Sequence, residues 1–165
     1  MTQQELRTLL TAAGLPASLW QLPDATYETV SEEFVLENWR AWLDARPPEL
    51  IKMIDVGGGA RRPVPLWVDS AGDCDNLSIG TTAWANTGNA LAAVKRKQAR
   101  GGLAYGFQFY LAGPARRENF NIAGGHAINW FVNPLRVVRF FEPGMGEFVD
   151  LNTQERSSSW FGLAA

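Results

Sequence analysis

One cysteine and one histidine occur in the chain, Cys74 in "GDCDNLSIG" and His126 in "GGHAINWFV". A thiol and an imidazole are the two groups a nucleophilic acyl transfer needs: the imidazole takes the thiol proton and later returns one to the leaving group. Cys74 stands where a loop passes into a helix. Amides at a helix N-terminus favour a thiolate and can hold a developing oxyanion. Asp73 and Asp75 flank it and work against ionisation. An inert buried cysteine and a core histidine with a single hydrogen bond satisfy the same pattern.

A thiol–imidazole pair is commonly oriented by a third group. Asn129 is close in sequence, but a strand beginning at His126 places Ile128, Trp130 and Val132 on the histidine's face and Asn129 on the other. Glu142 fits better. It closes "RVVRFFE", shares a face with Val138 and Phe140, and would be costly to bury without a partner. A strand-end carboxylate facing water before Pro143 is the other reading of the same residue.

The elements that must position these groups follow from periodicity and punctuation. Leu6, Leu9, Leu10 and Ala13 mark a helix over 3–13, stopped by Gly14 and Pro16. A second helix starts near Thr29, with a Thr29–Glu32 capping box or Ser31 as its cap, and carries Phe34, Val35, Trp39, Trp42 and Leu43 as a core stripe. Strands are expected at 50–56 and 64–69, joined by a glycine-rich turn at 57–63 that lacks the Lys-Ser/Thr of a phosphate loop. Helices are expected within 70–86 and 89–99, and strands at 103–112, 126–132, 136–142 and 146–151. Helices followed by successive strands without long crossovers give an α+β class, N-terminal helices plus an antiparallel sheet. We read residues 1–165 as a single domain, with a helical part over 1–48 and a catalytic core over 49–165.

Composition bounds the function. The chain is 46% hydrophobic, rich enough in apolar residues for a real core. Fifteen basic against seventeen acidic residues argue against nucleic acid as a partner, and "KRKQAR" is a local helix-end cluster. A lone cysteine excludes an internal disulfide and a cysteine-rich zinc site. No signal peptide or membrane span is legible, so the expected location is cytoplasmic. Oligomeric state is not legible.

"DCDNLSIG", "GHAINWFV" and "VRFFEPGMGEFVDL" together resemble the papain-like C-terminal domain of the Marasmius oreades agglutinin and its bacterial and phage relatives, over about residues 64–151. The resemblance implies a papain-like cysteine protease fold, a thiol hydrolase of peptidase or amidase type, and the catalytic set Cys74, His126 and Glu142. It also implies a peptide or protein substrate, and a calcium dependence for which Asp69, Asp73, Asp75 and Asn76 are the oxygen donors at hand. No other cofactor is implied. Trp67, Asp69, Asp73 and Gly125 are the substrate and oxyanion candidates, Trp67 as a gate or as packing. Two departures stand out. Gly144 replaces the family's glutamine after Glu-Pro, which is expected to remove a polar contact, and no glutamine lies between Ile51 and Cys74 to help bind the oxyanion. These departures suit an alternative: a catalytically weak or inactive protein-binding module, phage-encoded, with "GGGARR" and "GPARRENFN" as contact loops.

Overall fold

The computed structural model describes residues 1–68, 73–96, 101–120 and 124–164, without the side chains of 96, 119 and 120. Helix α1, Gln3–Ala12, starts at Thr2, whose side chain and Glu5 form a reciprocal capping box, and buries Leu6 and Leu10. Strands β1 (Trp20–Gln21) and β2 (Tyr27–Glu28) follow. Helix α2, Glu32–Asp44, is capped by Ser31, the second of the two expected caps, which accepts from the Phe34 amide. It buries Val35, Trp39, Trp42 and Leu43.

Strands β3 (Ile51–Asp55) and β4 (Arg61–Pro65) make a separate hairpin. Gly57, Gly58 and Gly59 all take positive φ, of 94°, 62° and 79°. That turn demands glycine and is complete by residue 60, so β4 begins three residues before the expected 64. Trp67 lies beyond β4, partly buried against the core, so it belongs to packing and not to the expected strand.

Helix α3, Cys74–Arg96, is one helix where two were expected. Gly88 sits inside it with no neighbour near its Cα, and an interior glycine costs only about 1 kcal/mol. Next come β5 (Gly102–Leu103), β6 (Tyr105–Leu111), α4 (Pro114–Phe120), β7 (Gly125–Val132), β8 (Val138–Glu142), β9 (Glu147–Val149), α5 (Thr153–Ser157) and β10 (Phe161–Ala164). The four strands expected after residue 102 form the heart of one sheet, ordered β1-β10-β6-β7-β8-β9. Every pairing in it is antiparallel except β1 with β10, so the sheet is mixed and the class is α+β.

Strand alternation splits the core in two. Ile128, Trp130, Val132 and Phe140 face Leu6, Leu10, Trp20 and Tyr110. Phe131 and Phe141 face the opposite way, onto Val35, Trp39, Trp42, Leu77 and Tyr105. The Trp stripe of α2 is therefore core, as the spacing predicts. Among the described residues no helix is long and apolar enough to cross a membrane.

Candidate active site

Three elements bring Cys74, His126 and Glu142 together. Cys74 is the first residue of α3: the Leu77 amide donates to the Asp73 carbonyl, which closes the first turn and leaves the Cys74 amide among those without an intrahelical acceptor. His126 is the second residue of β7. Glu142 is the last of β8, which pairs with β7 only up to Asn129–Phe141. One step further sets Glu142 across from Ile128, diagonal to His126 on the same face.

The diagonal is bridged. His126 Nε2 lies 2.6 Å from Glu142 Oε2, with each residue 1% exposed. The other carboxylate oxygen accepts from the Gly144 amide at 3.1 Å. With Nε2 taken by Glu142, Nδ1 is the ring nitrogen left for Cys74, whose thiol lies near enough to the imidazole to raise its proton affinity. Burial works against a charged ring here. The hydrogen bonds to Cys74 and Glu142, and the charges of both, outweigh it and raise the imidazole to about 9. Tyr110 pairs with His126 across β6 and β7, and its ring stands edge-on to the imidazole at 5.7 Å between centroids. Burial pushes the Tyr110 phenol up, so it remains a neutral wall.

The turn after Glu142 is held from outside the sheet. The buried Trp39 indole donates to the Pro143 carbonyl at 2.8 Å. Gly146, at φ 67°, lies so close under the Trp39 ring that a Cβ would sit 2.5 Å from it. Gly144 carries no polar side chain, but its amide orients Glu142, and a Cβ there would come within 3.2 Å of Oε1.

Asn129 faces away from His126 and acts on α3 instead. Its amide donates to the Ser78 carbonyl, the Thr82 hydroxyl and the Gly106 carbonyl, and its carbonyl accepts from the Thr81 hydroxyl at 2.8 Å. This buried knot fixes the helix that carries Cys74 against the strand that carries His126. Trp39, Gly144, Asn129 and Tyr110 are thus positioning residues that motif reading passes over. Only Tyr110 and Asn129 carry a sequence signal, their strand alternation.

Of the remaining candidates, Asp73 accepts from the Asn76 amide and shares a hydrogen bond with Asp75. That bond, then burial and the Asp75 charge, push the Asp73 carboxyl above its ordinary range. Gly125 is exposed, beside His126. Asp69 lies outside the described residues. Among those described, no three His, Cys, Asp or Glu side chains converge to hold a metal ion.

No family model matches the chain, and no curated protein does. Solved structures share its fold, two of them as follows. One is described as a PSL1a–E64 complex, at 21% identity and a TM-score of 0.58, covering 99% of this chain and 50% of that one. The other is Polyporus squamosus lectin bound to the human-type influenza-binding epitope Neu5Aca2-6Galb1-4GlcNAc, at 21% identity and a TM-score of 0.59, covering 99% and 49%. The resemblance to the agglutinin's peptidase domain is corrected by these findings, and with it the descriptions as hydrolase and thiol protease and the peptide or protein substrate: a solved chain sharing the fold is described as a lectin with a carbohydrate epitope. At this identity the likeness establishes the fold, and this chain spans about half the length of each of these two chains.

Proposed function

We propose that Cys74, His126 and Glu142 form a thiol centre for acyl transfer. The observation that carries this reading is the buried 2.6 Å contact of His126 Nε2 with Glu142 Oε2, with Cys74 as the ring's other partner. His126 takes the thiol proton and the sulfur adds to a carbonyl carbon. The oxyanion turns toward the Cys74 amide at the start of α3. Collapse breaks the bond to the leaving group, His126 returns the proton to it, and a thioester on Cys74 remains for an incoming nucleophile. A solved structure of the same fold is described as a PSL1a–E64 complex, which makes E64 the reagent with which to test the reading. The test is intact mass after E64 treatment: one adduct on the wild type, none on Cys74→Ala, and labelling slowed about 100-fold or more in His126→Ala. Equal labelling of wild type and His126→Ala counts against it.

A second reading is a carbohydrate-binding module, favoured by the epitope held by the Polyporus squamosus lectin. Calorimetric titration with Neu5Aca2-6Galb1-4GlcNAc tests it. Saturable heat that survives Cys74→Ala supports binding without turnover, and no heat rules this epitope out.

A further inference from the structure

Tyr110 carries a hydroxyl that the fold leaves unpaired. The residue is fully buried in β6, directly across from His126 of β7 and on the same sheet face, with its ring edge-on to the imidazole at 5.7 Å. Its oxygen has no hydrogen-bond partner among the described residues. Phenylalanine would fill the same core space without the cost of stripping water from an unsatisfied hydroxyl. A polar group kept at that cost calls for a partner that arises as the protein works.

The surroundings name that partner. The titratable groups whose charges act on the phenol are Arg116 of α4, Glu142 of β8, Glu155 of α5 and Cys74 of α3, so the hydroxyl lies between the thiol centre and the buried Arg116–Glu155 ion pair. Arg116 has no acceptor to offer. Glu155 Oε1 already accepts from the Gly113 amide and Arg116, and Oε2 from the Asn152 amide. Both oxygens of Glu142 are engaged, by His126 and by the Gly144 amide. The Cys74 sulfur is the one acceptor of the set that changes as the centre works: a thiol accepts weakly, a thiolate strongly. Resting on the acyl-transfer reading above, we infer that Tyr110 is a further positioning residue, its hydroxyl donating to the Cys74 sulfur once His126 has taken the thiol proton. Tyr110 keeps its own proton throughout, because burial holds the phenol neutral. The bond is made to the thiolate and barely to the thiol, so it favours ionisation of Cys74 and adds little to the resting fold.

Tyr110→Phe removes the hydroxyl alone, and Cys74 labelling by iodoacetamide, followed by intact mass, reads the effect. The variant should label about 10-fold more slowly than the wild type at about pH 6, and within about twofold of it at about pH 10, where solvent hydroxide takes the thiol proton. Its thermal midpoint should match or exceed that of the wild type, since the resting fold loses an unpaired polar group. A role in packing alone predicts a lower midpoint and equal slowing at both pH values. That result, or an unchanged rate at about pH 6, overturns the inference about Tyr110 alone. Wild-type Cys74 that labels at about pH 6 no faster than glutathione overturns the thiol centre, and the role of the hydroxyl with it.

Discussion

At the scale of residues, the centre is a chain of three contacts in which each group restrains the next. Gly144 N–H holds Glu142, Glu142 holds the His126 ring, and the ring meets Cys74. This linkage has a pH signature. The folded imidazole titrates at about 9, above its ordinary 6.5, so protonation favours the folded state. Its contribution is whole below about pH 6.5 and is lost as pH rises through about 9. The thermal midpoint of the wild type should therefore fall across that window, and the fall should shrink in His126→Gln. Calorimetry from pH 6 to pH 10 reads both. The identities of Cys74, His126 and Glu142 were legible in sequence because two are unique and the third is an acid ending an apolar strand. The part played by Gly144 was not legible, because a motif shows side chains and hides a backbone donor.

At the scale of elements, the position of the centre depends on two devices at a distance from it. Trp39 of α2 pins the turn after Glu142. Trp39→Phe keeps the packing and removes the donor to a buried carbonyl, so it should cost about 1–3 kcal/mol in urea unfolding and slow Cys74 labelling several-fold. Asn129 ties α3 to β7. Asn129→Leu removes four buried hydrogen bonds that join α3 to the sheet and should cost about 3 kcal/mol or more, read by the same unfolding. Helix and strand existence followed from periodicity through most of the chain. The merger of two expected helices into α3 did not, because Gly88 reads as a break, whereas a helix interior tolerates one glycine at about 1 kcal/mol.

At the scale of the whole molecule, one sheet separates two cores, and β10 joins them to the chain's beginning. It lies between β1 and β6, and its Gly162 passes under the Trp20 ring, where a Cβ would come within 2.1 Å of the indole. Four residues without alternating polarity gave no strand signal, so β10 was not legible. Its place is set by long-range pairing with β6 and β1. Removing residues 160–165 should leave β1 without a partner and β6 with an open edge. The expected result is loss of cooperative thermal unfolding by circular dichroism, whereas single substitutions at the exposed Trp160 should leave it intact.

The central claim is that one imidazole is flanked by a thiol and a carboxylate in a buried site. Because His126 is the only histidine, its ring can be followed without ambiguity by nitrogen-15 NMR of histidine-labelled protein across pH. The account predicts an imidazole that stays protonated through neutral pH and titrates at about 9, moving back toward 6.5 in Glu142→Gln. A ring that titrates at or below 6.5 in the wild type, unmoved by Glu142→Gln, would contradict it.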